Sequence, residues 1–204
     1  MTNTTETLDE QAVDLDPIKQ FKGWFSSAQA AGIPLAEAMS LATVSDGKPS
    51  SRMVLLKRVD GDGFVFFTNY QSAKARDLEV NPYVALTFFW PQLEKQIRVE
   101  GTVTKTSVEE SREYFATRPR ESQIGAWASP QSEVIASREE LEKRQAELEE
   151  TYRDQPIPCP PHWGGFLVKP ERIEFWQGRI GRLHDRLVYE LQKDGSWTIK
   201  RLAP

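Results

Sequence analysis

Arg182, His184 and Arg186 recur at every second position of the run Arg182-Leu183-His184-Asp185-Arg186, the period that puts side chains on one face of a β-strand. Two permanently charged guanidinium groups then flank an imidazole that titrates near neutral pH. Such a face is an anion site with proton chemistry beside it. The same run also suits a solvated, salt-bridged edge strand; two further basic clusters upstream and Trp176 just before it tip the balance toward the anion site.

The second cluster is Arg52-Met53-Val54-Leu55-Leu56-Lys57, an apolar strand with a cation at each end. A buried strand keeps charges only where something pairs them. Five positions apart, Arg52 and Lys57 face opposite sides of a regular strand, which suits two anions or two ends of one site. Snorkelling at strand ends accounts for them equally well. Lys74 follows near the start of a helix expected from Ser72, where free N–H groups and the helix dipole favour a phosphate.

In the third cluster, Tyr114 and Arg118 are i,i+4 neighbours on a helix that Pro119 ends, so that Ser122 can fold back toward them. Two hydroxyls and a guanidinium would then converge as a phosphate cradle requires. A helix end whose Arg merely satisfies carbonyls is the competing reading.

The elements that must position these groups follow from periodicity. Residues 1 to about 15, rich in Thr, Asp and Glu, read as a mobile acidic tail, leaving 16–204 as a single domain. Asp16-Pro17 opens an amphipathic helix that turns Ile18, Phe21, Trp24 and Phe25 to the core and ends near Gly32-Ile33-Pro34. Strands are expected over 40–44, 52–59, 64–68, 84–89, 96–104, 166–168, 172–176, 187–191 and 197–201, and further helices over 72–80, 107–117 and 137–153. Closely spaced strands with little helix between them imply a mainly β antiparallel barrel with helical insertions.

Thirty acidic against 26 basic residues leave a net charge of −4, against a general nucleic-acid binder. The single cysteine, Cys159, sits in the proline-rich run 156–161, so neither an intramolecular disulfide nor a cysteine metal cluster can form, and no metal site is expected. No apolar run approaches the roughly 18 residues needed to span a bilayer, and the N-terminus lacks the features of a signal peptide. A cytoplasmic protein is expected, and any anion it holds is small and locally bound rather than a membrane or nucleic-acid surface.

Taken jointly, RMVLLK, TN followed by SAK, the stretch from Tyr114 through RPRESQIGAWAS to Gln131-Ser132, then WGG, IEFWQG, RLHDR and the terminal RLAP resemble the pyridoxamine 5'-phosphate oxidase family over roughly Asp16 to Pro204. The resemblance implies a split β-barrel homodimer with FMN in clefts between the subunits. It implies oxidation of pyridoxamine or pyridoxine 5'-phosphate to pyridoxal 5'-phosphate, the last step of vitamin B6 cofactor synthesis, with dioxygen reduced to hydrogen peroxide. Carried over by position, it puts Arg52, Lys57, Phe67, Thr68, Lys74, Gln96, Gln131, Ser132, Trp176 and Arg186 around FMN. It assigns the substrate phosphate to Lys57, Tyr114, Arg118 and Ser122, and sets Arg182 and His184 over the pyridine ring near the reacting carbon, as catalytic residues. Ala73 stands where many relatives have a second cation, and the tail lacks the Arg and Tyr that some members fold over the substrate. A non-catalytic flavin or pyridoxal phosphate binder would lack the cradle; a different flavin enzyme on the same barrel would lack the combined RLHDR and RPRESQ runs.

Overall fold

The computed structural model describes residues 7–204. Helix α1 (Pro17–Ala30) starts where Asp16 accepts hydrogen bonds from the N–H groups of Ile18 (2.8 Å) and Lys19 (3.4 Å), with Pro17 already holding helical φ. It buries Ile18, Phe21, Trp24 and Ala28. Phe21 is fully buried and meets Phe64 and Phe88 edge-on at 4.9 and 5.0 Å, a contact worth about 3 kcal/mol or more on truncation to Ala.

The strands are β1 (Ala38–Ser45), β2 (Lys48–Leu55), β3 (Arg58–Asp60), β4 (Gly63–Asn69), β5 (Tyr83–Trp90), β6 (Lys95–Lys105), β7 (Trp163–Gln177), β8 (Asp185–Leu191) and β9 (Trp197–Arg201). All pair antiparallel in the order β2-β1-β5-β6-β7-β4-β3, with β8 and β9 added along β7. No ladder joins β2 to β3, so the barrel is split. Helices α2 (Ala73–Val80), α3 (Val108–Thr117), α4 (Arg120–Ala128) and α5 (Arg138–Thr151) are inserted between strands.

Four sequence expectations change. The strand expected over 52–59 breaks: β2 ends at Leu55, Leu56 donates its N–H to Glu37 and turns inward, and Lys57 starts pairing with β4 through Val65. The two strands expected at 166–168 and 172–176 are one strand, β7, because Gly101 lets the bulge at Pro170 lie against β6; a Cβ there would stand 2.0 Å from the Lys169 carbonyl oxygen. Helix α4 was not expected; Pro119 ends α3 and also starts α4, and Gln123 ties the two by donating to the Phe115 carbonyl at 3.0 Å. In the segment read as a mobile tail, residues 1–6 lie outside the described residues, but 7–15 are docked. Leu8 is buried, Arg201 donates to its carbonyl at 2.9 Å and pairs with Glu10, and Tyr189 donates to the Asp14 carbonyl at 2.8 Å. Composition missed this because one buried leucine and one arginine 191 residues away hold the segment.

Candidate active site

At the split between β2 and β4 lies a cavity of about 440 Å³, roofed by α3 and α4. Lys57, Phe67, Thr68, Lys74, Tyr114, Arg118, Ser122 and Gln131, eight of the residues singled out from sequence, line it together. Phe67, Tyr114 and Trp163 form a parallel ring stack on one wall, with Phe67 4.1 Å from Tyr114 and 5.3 Å from Trp163.

Besides the exposed Lys57, two cations in this cavity lack an anionic partner among the described residues. Lys74, buried at the first turn of α2, donates to Gln131 (2.8 Å), Thr68 (3.1 Å) and Ser72 (3.2 Å), all neutral. Burial, reinforced by the charge of Arg52, depresses its pKa from 10.5 to about 8. Arg118, extended just past the end of α3, stacks its guanidinium carbon 4.7 Å above Trp163, and its buried Nη1 has no hydrogen-bond partner among the described residues. Burial lowers the Arg118 pKa and raises that of Tyr114, and in each the other's charge opposes the shift. A buried ammonium among neutral acceptors and an orphaned guanidinium N–H are two places built for anions.

Arg52 sits one residue from the cavity wall, but its guanidinium turns to Thr43 (2.7 Å), Ser50 (2.8 Å) and, at 3.7 Å, Asp77. Ser132 follows Gln131 in a left-handed conformation (φ 72°).

The remaining candidates do not line this cavity. Gln96, Trp176 and Arg186 are directly opposite one another on β6, β7 and β8, forming one cross-strand row. Nearly all 15 residues of β7 separate Trp163, in the cavity, from Trp176, in the row. His184 packs 4.7 Å from the Trp176 ring. The run 182–186 is not one strand. Gly181 and Arg182 are both left-handed (φ 73° and 64°) in a 3-10 turn, and β8 begins only at Asp185, so the shared face expected for Arg182, His184 and Arg186 does not form. Asp185 shows why: it accepts from Arg179 (2.7 Å) and Arg201 (2.8 Å), drawing the chain into a loop. Burial pushes the Asp185 carboxyl up, but the two arginines outweigh it and hold it low. The Arg179 N–H donates to His184 Nδ1 at 3.0 Å, which leaves the imidazole proton on Nε2. The exposed Arg182 side chain makes no hydrogen bond among the described residues.

The family described as "Pyridoxamine 5'-phosphate oxidase" matches residues 25–152, and "Pyridoxine 5'-phosphate oxidase C-terminal dimerisation region" matches residues 163–204. The chain belongs to the pyridoxamine 5'-phosphate oxidase family. Membership makes it an oxidoreductase. It is 58% identical over 202 residues to a pyridoxine/pyridoxamine 5'-phosphate oxidase of Rubrobacter xylanophilus, covering 98% of this chain and 93% of that protein. A protein of the same name from Burkholderia multivorans is 57% identical over 201 residues, covering 97% and 94%. Among solved structures, PhzG from Burkholderia lata, in complex with tetrahydrophenazine-1-carboxylic acid, superposes with a TM-score of 0.92 at 29% identity and 98% coverage of each chain. A pyridoxamine 5'-phosphate oxidase-related, FMN binding protein from Nostoc punctiforme shares the fold, with a TM-score of 0.73 at 19% identity over 90% of this chain and 97% of that one.

Sequence reasoning omitted Trp163, whose ring backs Arg118; the WGG run was its only signal. It also omitted Glu174, 2% exposed, which pairs with Arg186 at 2.8 Å. No helix among the described residues is long and apolar enough to cross a membrane, and no three His, Cys, Asp or Glu residues among them are placed to hold a metal ion.

Proposed function

We propose that the chain oxidises pyridoxine and pyridoxamine 5'-phosphates to pyridoxal 5'-phosphate, using FMN bound between two copies, with dioxygen as the terminal acceptor. The single observation that carries this reading is the pair of cations without an anionic partner, buried Lys74 and half-buried Arg118, in one cavity of a chain from this family. Two anion positions suit two phosphorylated molecules, a flavin nucleotide and a substrate, better than a single ligand.

Residues present fit both. Lys74, held by Thr68 and Gln131, supplies the charge for the flavin phosphate, with Arg52 and Ser132 close in sequence to that wall. Arg118, Tyr114, Ser122 and Lys57 grip the substrate phosphate; the Arg118 fork supplies directional donors and Lys57 a mobile charge. Gln96, Trp176, Arg186, Arg182 and His184 form the second half of the site, and they come from the other copy. The matched dimerisation region, residues 163–204, contains all of these except Gln96, which pairs with Trp176. If β7 were straight, Trp163 and Trp176 would lie roughly 40 Å apart, and a second copy brings one half-site to the other.

FMN, held by these residues, would supply the two-electron acceptor for oxidation at substrate C4' and the means of reducing dioxygen to hydrogen peroxide. The chain's task is to hold the substrate ring in register and to stabilise charge developing at C4'. Arg182, the one exposed guanidinium on that turn, orients the substrate and assists at C4'. His184 presents its Nε2 proton as a donor. Pyridoxine phosphate yields the aldehyde directly; pyridoxamine phosphate yields an imine that water hydrolyses to the aldehyde and ammonia.

The test is one sample. Purified protein loaded with FMN is mixed with pyridoxine 5'-phosphate without oxygen, and air is then readmitted. Bleaching and return of the flavin band, with pyridoxal phosphate and peroxide formed, is the expected result. A band that never bleaches with either vitamer overturns the reading, and bleaching instead by a carboxylated phenazine precursor would move the chain toward the chemistry of the ligand seen with PhzG.

A further inference from the structure

We propose that Glu174 is a positioning residue that holds the Arg186 guanidinium in place for the flavin; this rests on the reading above that Arg186 faces the cofactor. Glu174 stands at the centre of an outward-facing grid on the sheet. The row Gln96, Trp176 and Arg186 lies on one side of it and the row Glu100, Arg172 and Glu190 on the other, with Arg98 directly opposite on β6.

A carboxylate only 2% exposed on a strand must be paired to be tolerated, and one cation would suffice. Here three converge. Glu174 Oε1 accepts from Arg186 Nε at 2.8 Å, while Oε2 lies 3.4 Å from Arg98 and 3.8 Å from Arg172. Glu100 takes up the outer sides of Arg98 and Arg172 at 2.9 and 3.1 Å.

Of the three, Arg186 makes the shortest contact with Glu174. Its Nε is tied to Glu174 and its Nη1 donates to the Ala203 carbonyl at 2.9 Å, while Nη2 makes no hydrogen bond among the described residues. Two of the three nitrogens are anchored from behind, so the guanidinium plane cannot rotate about its last torsions. Arg186 is also the residue directly opposite Trp176 in the cross-strand row. Arg98 and Arg172 act on the flavin side only through Glu174; they keep the carboxylate in its place while Arg186 uses it.

The experiment is an FMN titration of the full-length protein, followed by flavin fluorescence, for Glu174→Gln, Arg186→Ala and the double variant. Glu174→Gln keeps the volume but loses the charge-assisted bond, and FMN dissociation is expected to weaken roughly tenfold. Arg186→Ala weakens it at least as much, and the double variant is no worse than Arg186→Ala, because Glu174 acts only through Arg186. Melting temperature without FMN serves as the structural control. Additive losses in the double variant, or wild-type FMN affinity in Glu174→Gln beside a weakened Arg186→Ala, overturn the positioning role. Wild-type affinity in Arg186→Ala instead overturns the assignment of Arg186 to the cofactor. Should Glu174→Gln fail to fold, Glu174→Asp keeps the charge but withdraws it from Arg186 Nε, and the same weakening is expected; unchanged FMN affinity in that variant also refutes the proposal.

Discussion

The guanidinium carbon of Arg118 lies 4.7 Å above the ring of Trp163, and its buried Nη1 has no hydrogen-bond partner among the described residues. The stack fixes the plane of the guanidinium and burial removes water from it, so an arriving phosphate meets a preoriented donor. Neither residue alone would give this arrangement.

Arg118→Lys is therefore expected to raise KM for pyridoxine 5'-phosphate, by about 2 kcal/mol or roughly thirtyfold, with a smaller change in kcat. Lysine keeps the charge but neither stacks as a plane nor donates as a fork. Steady-state kinetics at saturating FMN checks it. An unchanged KM would remove Arg118 from the phosphate cradle.

Lys74 sets a pH dependence. Its pKa in the fold, about 8, lies below the ordinary 10.5, so between those values the unfolded chain binds the extra proton and stability of the flavin-free protein rises with pH. Below about 8 the buried charge is present and its penalty is complete. The groups facing it are the neutral Thr68, Ser72 and Gln131 and the cationic Arg52, so only a bound anion relieves it. FMN affinity is expected to fall as pH rises through 8, and Lys74→Met to abolish both trends. FMN titrations and thermal melts across that range decide it; a pH-independent affinity in the parent protein counts against Lys74 as the anion anchor.

His184 is expected to act as a donor. With Nδ1 occupied by the Arg179 N–H, its Nε2 carries the proton, and an amide can imitate that. His184→Gln, whose amide reaches the Nε2 position, should retain more kcat/KM than His184→Ala, which is expected to lose roughly tenfold or more. Equal losses in the two variants would argue for a base that an amide cannot replace.

Arg182 is exposed and left-handed, so its truncation costs the fold little while removing the cation proposed to act at C4'. Arg182→Ala should lower kcat/KM at least about tenfold with melting temperature unchanged. Wild-type kcat and KM in this variant would refute the role.

The N-terminal contact is a stability device. Leu8 is buried against the core, and Leu8→Ala is expected to cost about 2 kcal/mol, seen as a melting point lower by roughly 5 °C. Arg201 lowers the pKa of Glu10, so this pair contributes above the ordinary carboxylate range and is lost as pH falls below it. If Leu8→Ala melts with the parent protein, residues 7–15 do not stabilise the fold.

Much of the site was legible because its chemistry is local. Tyr114 and Arg118 share a helix face by i,i+4 spacing, and both line the cavity; Ser122 comes back beside them because Pro119 interrupts the helix. The strand alternation that opened the reading of Arg182 to Arg186 failed because two consecutive left-handed residues, one of them Gly181, turn the chain before β8 starts. Gly181 was visible in the sequence; the Arg179 and Arg201 contacts that draw Asp185 away were not, since the second spans 16 residues.

Composition, period and motif by themselves determined the class of fold, most helices and strands, the family and the residue types able to hold anions. Those properties depend on neighbours within a turn or a strand, where spacing alone dictates direction. Only the tertiary structure decided which cations remain unpaired. Arg52 and Arg186 meet the carboxylates of Asp77 and Glu174, whereas Lys74, buried, and Arg118, half-buried, lie among neutral groups. Whether a charge is neutralised depends on which distant strand lies beside it, and that is fixed by the packing of the whole barrel.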